Sequence, residues 1–334
     1  MSDFSTKGNE PFFHLVSEQL MIQPPVITDP EELEFTPNAG RKVLLFSDSR
    51  QRAATLAKEL TSVADEDALR KALTVAAKEL NEWEAATGNS GNMDLLYVSF
   101  LKVALENKLR FFYGADEKGL HDHIDEMRSY LERQLRRGRT VDYGKAKDIK
   151  FKTVPELYSS YLLKIMCSNF RSFTDLGLCW VEALDEYLLD EVADEIKEDG
   201  INLTEEEFED LFTAWAAEIL TDAYAYDETL NNNVRRSITS IPRFGLTEND
   251  KLPLRFKKIL KDRGFSDEHI SAVYNLLLKF CQKGTAEHEY YFLNPKVIRL
   301  RYGADAMWYK CPDCGRVFPK TLWGKCVWEK KAKI

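Results

Sequence analysis

The sequence predicts a mainly α-helical chain that opens with one α/β strand–turn–helix unit and closes with short strands around a cysteine pair. Three observations carry this reading. Between Met93 and Gly284, apolar residues recur at helical spacing in one segment after another. The run Val43-Leu44-Leu45-Phe46 is apolar and is followed at once by Ser47-Asp48-Ser49, any of which can cap a helix. Near the end, Lys296 to Tyr302 alternates as a strand should, and Ala306–Lys310 and Arg316–Phe318 flank the turn Cys311-Pro312-Asp313-Cys314-Gly315.

Taken in order, residues 1–41 read as a lead-in or linker broken by Pro11, Pro24, Pro25, Pro30 and Pro37, with Phe12 to Val16 as one short packed element. Residues 42–88 hold the strand–turn–helix unit over 42–62 and a continuing helix marked by Leu69, Leu73, Val75, Ala76 and Leu80. Gly88 to Asn92 is a loop. Residues 89–290 form a large helical region. Its helices are marked by Leu95 to Leu109, by Ile124, Met127, Tyr130, Leu131 and Leu135, and by Val154 to Cys167. Another starts at Thr204, where Glu207 completes a capping box. A further helix is capped by Ser266 or Asp267 and runs towards Gly284. Residues 291–334 carry the terminal strands.

Bulk numbers narrow the function classes. A chain of 334 residues, 44% hydrophobic and 30% charged, has an ordinary globular composition and length enough for two or three domains. No apolar run reaches the roughly 20 residues that span a bilayer, and the start lacks a basic n-region followed by an apolar stretch. No membrane partner is expected. Six cysteines without framework spacing fit a reducing compartment, with the cytoplasm as default. The net charge of −9 argues against a dedicated nucleic-acid coat protein, but charge is uneven. Glu182 to Asp210 holds fourteen acids against one Lys, whereas Arg133 to Lys152 holds eight Lys or Arg against two Asp.

The turn after Phe46 lies at the carboxyl end of a strand, where α/β proteins bind ligands. Helix N-terminal amides attract anions there, and Arg50 adds a full positive charge, which suits a backbone phosphate. The segment Lys42 to Ala54 also resembles motif IV, the opening strand and loop of the second RecA-like domain of superfamily-two helicases. It is most similar to large bacterial helicases that carry a cysteine cluster, several of them in phage-defence systems. The resemblance resumes at Ser172 to Leu178, and again from Tyr291-Phe292-Leu293-Asn294-Pro295 through Cys311. It implies ATP-driven movement on nucleic acid, DNA in preference to RNA, with Ser47, Ser49, Arg50 and Gln51 touching the backbone. It also implies that ATP and Mg are held only by the complete parent protein. No G-x-x-x-x-G-K-[ST] loop occurs here, and Asp65-Glu66-Asp67-Ala68 imitates a Walker B box only in its letters. One strand cannot make a sheet. The remaining helicase domains are therefore expected on flanking sequence, and this chain alone is expected to be inactive as an ATPase.

The second site lies in the terminal cysteines. Cys311-x-x-Cys314-Gly315 is half of a zinc knuckle, and Cys326 follows with eleven residues between it and Cys314. A complete ribbon would place Cys or His at 329, where Glu329 stands, so a partial zinc site with Cys311, Cys314 and Cys326 as ligands is expected. The chain also carries weaker patterns. The basic stretch 133–152, with Tyr143 and Phe151, offers either a stacking groove or a solvated face. His121-Asp122-His123 is poorly spaced for a metal on a helix. Cys167, Cys179 and Cys281 sit in apolar stretches, as core residues do. The alternative function is a non-enzymatic helical interaction module whose acidic face, 182–210, binds a basic partner.

Overall fold

The computed structural model describes residues 10–29, 32, 37–42, 50–109, 118–167, 172–221, 246–247, 252–284, 290–303 and 306–327. In chain order the elements are α1 (Glu10–Ile22), α2 (Arg50–Thr87), α3 (Leu96–Glu106), α4 (Lys118–Arg136), α5 (Tyr143–Ile149), α6 (Glu156–Cys167), β1 (Cys179–Ala183), α7 (Glu186–Glu198), α8 (Glu205–Thr221), α9 (Leu254–Asp262), α10 (Asp267–Leu278), β2 (Cys281–Lys283), β3 (Tyr291–Leu293), β4 (Ile298–Tyr302), β5 (Tyr309–Lys310) and β6 (Val317–Phe318). The chain is mainly helical, as its periodicity predicts. Among the described residues the strands form three antiparallel pairs: β1 with β4, β2 with β3, and β5 with β6.

The organising element is α2. Its 38 residues contain no Gly or Pro, so nothing interrupts the backbone ladder over about 57 Å. The expected short helix and its continuation are therefore one rod. It ends where Gly88 takes the left-handed conformation, φ 69°, and its N–H closes on the Glu84 carbonyl at 2.8 Å. Leu69, Leu73, Ala76 and Leu80 recur along one face and are buried against α3. Helix α3 is buried nearly all round, with Leu96 to Leu101, Val103 and Ala104 inside. Its buried hydroxyls are both partnered: Ser99 donates to the Ala76 carbonyl at 2.8 Å, and the Tyr97 hydroxyl lies 2.7 Å from His123 Nδ1.

Start signals read from the sequence are borne out at two helices. At α8 the Thr204 N–H donates to Glu207 Oε2 at 3.0 Å, and the Glu207 N–H donates to Thr204 Oγ1 at 3.2 Å. At α10 the Ser266 hydroxyl accepts from the His269 N–H at 3.0 Å, which makes Ser266, not Asp267, the cap. Other expectations need correction. Strand character does not return only near the end, because Cys179–Ala183 is a strand. It pairs with β4 in the register Cys179↔Tyr302 to Ala183↔Ile298, so this ribbon joins the helical stretch to the terminal strands. Helix α8 packs on β1, and α2 runs beside β4. There Asn81 donates to the Leu300 carbonyl at 3.2 Å and accepts from the Tyr302 N–H at 2.8 Å, which satisfies the outer edge of β4. Leu135, expected on an apolar helical face, is 80% exposed. One continuous apolar cluster runs from Leu69 to Val327 and includes Cys311, Phe318 and Leu322 beside the terminal hairpin.

Candidate metal centre

The terminal hairpin is short. Tyr309 and Lys310 of β5 pair with Phe318 and Val317 of β6. Between them the Cys311 N–H donates to the Arg316 carbonyl at 2.9 Å, and the Gly315 N–H donates to the Cys311 carbonyl at 3.0 Å. Gly315 sits at φ 74°, a conformation a side chain disfavours, which explains a glycine just after Cys314. A second tight turn, with the Lys325 N–H donating to Leu322 O at 2.9 Å, delivers Cys326 to the same point.

The Sγ atoms of Cys311, Cys314 and Cys326 lie within 4.8 Å of one another, with Cys314 and Cys326 3.6 Å apart. A disulfide needs about 2.05 Å, so this is not one. A tetrahedral ion with bonds of about 2.3 Å separates its sulfurs by about 3.8 Å, which this spacing fits. The electrostatics agree. Burial alone raises the Cys311 thiol, but the Cys314 and Asp313 backbone N–H groups and the two neighbouring thiols outweigh it and hold the thiol below its ordinary range. A thiolate held by backbone N–H groups is ready to ligate a cation. Three sulfurs leave one coordination position for a further donor, and Glu329 lies outside the described residues. The other cysteines differ in kind. Burial pushes the Cys179 thiol up to about 12 and the Cys281 thiol well above the usual range. Cys167 is likewise buried in the core.

Sequence reasoning missed what fastens this centre to the helices. The Trp323 indole N–H donates to Glu207 Oε1 at 2.6 Å, and the same oxygen pairs with Arg263 at 3.1 Å. The Arg263 guanidinium lies over the Trp323 ring at 4.6 Å. Lys320 pairs with Asp210 at 3.0 Å, and Lys325 with Asp262 at 2.9 Å. Glu207 thus serves its own helix cap, Arg263 and the tail at once. The Thr204 backbone N–H leads in holding its carboxyl below the usual range; partial burial opposes this, and Trp323, the Thr204 hydroxyl and Arg263 add to it. The one advance signal was the Thr204–Glu207 capping box.

A second anchor is Trp308. Its indole N–H donates to the Gly303 carbonyl at 2.9 Å, and its ring meets Trp180 edge-on at 5.5 Å. A Cβ on Gly303 would lie 2.5 Å from the Trp308 ring, so only glycine fits there.

The remaining sequence candidates fall as follows. Val43 to Phe46, Ser47 and Ser49 lie outside the described residues. Arg50 and Gln51 open α2, and their side chains also lie outside the description. Tyr143 and Phe151 are no stacking platforms: both are buried, Tyr143 edge-on to Trp83 at 5.3 Å and Phe151 beside His123 at 5.7 Å. Their aromatic bodies fill the space beneath α3 instead. Within the basic stretch, Lys147 is held by Asp94 at 3.2 Å and Lys145 by Asp142 at 2.9 Å. His123 Nδ1 lies 2.7 Å from the Tyr97 hydroxyl, so this half-buried histidine is engaged in packing. In the acid-rich stretch Glu182 pairs with Arg299, which also meets Glu84, while Glu191 and Glu195 pair with Lys279. Much of that charge is therefore engaged within the molecule.

Among known proteins, the chain is 27% identical over 325 residues to the Druantia protein DruE of Escherichia coli (strain UMEA 4076-1). The alignment takes in 96% of this chain and 17% of DruE, so the chain spans less than a fifth of that relative's length. No protein-family model matches the chain, and no solved structure matches it.

Proposed function

We propose that this chain is a segment of a phage-defence protein built as a superfamily-two, helicase-type ATPase, to which it contributes nucleic-acid backbone contacts and a zinc-holding knuckle. The observation that carries the proposal is the similarity to a Druantia protein along nearly the whole chain. The motif IV resemblance at Lys42 to Ala54 supports the helicase part. In this reading Ser47, Ser49, Arg50 and Gln51 meet nucleic-acid phosphates at the start of α2, and ATP and Mg bind elsewhere in the parent protein. Zinc is the ion that three thiolates on a knuckle suit best, and here it would be structural, pinning the β5–β6 hairpin to the turn that carries Cys326.

The test is made in cells that carry the native locus, by comparing phage plating on the unaltered gene with plating on a Cys311→Ser, Cys314→Ser version. Protection lost at equal protein level is the expected result. An unaltered locus that gives no protection would overturn the defence reading, and protection untouched by the substitutions would overturn the role of the knuckle. Purified chain should show no ATP turnover with or without single-stranded DNA, and turnover that survives repurification would contradict the placement of the ATP site.

A further inference from the structure

We infer that Cys314 and Cys326 form an oxidation site: peroxide joins them in a disulfide, and that disulfide and a bound metal exclude each other. The inference deepens the metal reading above, on which only its second half rests.

All six cysteines are thiols. The sulfurs of Cys314 and Cys326 lie 3.6 Å apart, in contact but about 1.5 Å too far for a bond. Both residues are half-buried, whereas Cys311 is 5% exposed. Cys311 is also tied down along its backbone, its N–H on the Arg316 carbonyl and its carbonyl on the Gly315 N–H. A small oxidant therefore reaches Cys314 and Cys326 first. Among the described residues nothing stands within 4 Å of a Cβ built on Gly315 or on Gly324, so the two turns beside these sulfurs have room to close the gap. The remaining thiols compete poorly. Cys167 and Cys179 are buried, and burial keeps the Cys281 thiol protonated.

The protein frame, independent of any ion, holds the pair together. Lys320 on Asp210, Trp323 on Glu207 and Lys325 on Asp262 clamp the segment that leads to Cys326 onto the helices. The β5–β6 pairing fixes the turn that carries Cys314. Whichever sulfur is struck first, its thiolate attacks one oxygen of hydrogen peroxide. The O–O bond breaks, hydroxide leaves and is protonated to water, and a sulfenic acid remains. The partner thiolate attacks that sulfur, the S–S bond forms, the S–O bond breaks, and the oxygen leaves as a second water. Each sulfur has given one electron, and the peroxide has taken both. Capture across 3.6 Å is intramolecular, so it outruns a second peroxide and stops the oxidation at the disulfide. The disulfide removes two of the three clustered sulfurs as donors, and Cys311 alone does not hold an ion.

The experiment treats the whole chain, reduced and freed of metal, with a slight excess of hydrogen peroxide. Remaining thiols are alkylated, and the chain is cut with trypsin, which cleaves after Lys310, Arg316 and Lys325. Cys311 and Cys314 then share one peptide, and Cys326 begins another. The expected product is these two peptides joined, a link that dithiothreitol removes, that Cys311→Ser retains and that Cys326→Ser loses. A disulfide inside the Cys311 to Arg316 peptide, a link that disappears in Cys311→Ser, or sulfinic acid at Cys314 in place of the link would overturn the inference. The chain loaded with zinc should resist the link and lose one zinc for each disulfide formed, read with a chromogenic chelator. A link formed with the zinc retained would overturn the exclusion. A chain that takes up no zinc yet forms the link would overturn the metal reading and leave the oxidation site standing.

Discussion

The hydrogen bond from Trp323 to Glu207 should join the cysteine-bearing tail to the helical body energetically as well as geometrically. A double-mutant cycle isolates it. Trp323→Phe keeps an aromatic ring for Phe265 and Arg263 but removes the N–H donor. Glu207→Ala removes the acceptor and also the capping box, a separate loss of about 0.5–2 kcal/mol that cancels in the cycle. A hydrogen bond to a charged acceptor is worth about 1.5–3 kcal/mol. The half-exposed Arg263 shares that oxygen and contributes little of its own, about 0–1 kcal/mol. The coupling should therefore be about 1–3 kcal/mol, read from urea midpoints of the four proteins prepared alike. Hydrogen exchange should rise over 320–327 in both single variants. The bond also has a pH signature. The folded-state pKa of Glu207 is depressed, so its contribution is full above the ordinary glutamate value of about 4.3 and is lost as pH falls through the lower, folded value. Glu207→Gln should flatten that acid-side loss. Free energies that simply add, within about 0.5 kcal/mol, would refute the claim that this bond fastens the tail.

Other changes probe the frame around the site. Asn81→Ala strands the Tyr302 N–H and the Leu300 carbonyl at the edge of β4, and should cost about 1–3 kcal/mol in urea unfolding. Gly303→Ala drives a methyl into the Trp308 ring and should destabilise by about 1–3 kcal/mol while shifting tryptophan fluorescence as the Trp180 contact opens; an unchanged spectrum would count against the tight fit. Chelation of the metal should speed hydrogen exchange over 306–327 and leave the helical circular dichroism intact, because α2 and α3 bury their own core. Loss of helix signal on chelation would mean that the metal supports the whole fold.

What was legible in the sequence was whatever local chemistry specifies. The caps at Thr204 and Ser266 could be read because a hydroxyl three residues ahead of a backbone N–H is a local geometry. The knuckle was readable because Cys-x-x-Cys-Gly builds its turn from five consecutive residues. Strand β1 was not. Its five residues, Cys-Trp-Val-Glu-Ala, are buried at four positions, so the period-two alternation that marks a half-exposed strand is absent. Its partner lies more than a hundred residues away, and only tertiary pairing makes it a strand. The stacking groove that the sequence left open at Tyr143 and Phe151 falls for a related reason. A large ring among basic neighbours follows its apolar area into the core, and both rings are buried while Lys145 and Lys147 pair with Asp142 and Asp94.

These long-range pairings bear on how such a segment can act. Cys314 and Cys326 meet across eleven residues, but the surface that receives them is assembled from α8, the end of α9 and the turn at Arg263 to Phe265. Helix α8 packs on β1, β1 pairs with β4, and Asn81 ties the free edge of β4 to α2. A load placed on the hairpin therefore reaches the long helix through hydrogen-bonded backbone and buried side chains, with Trp308 on Gly303 as a second connection. Arg50 opens that same helix, roughly 46 Å by helical rise from the level of Asn81. If Arg50 meets nucleic acid as proposed, α2 is the strut that sets its distance from the cysteine-bearing hairpin. Its unbroken Ala-, Leu- and Lys-rich sequence, free of Gly and Pro, is what a strut of that length requires.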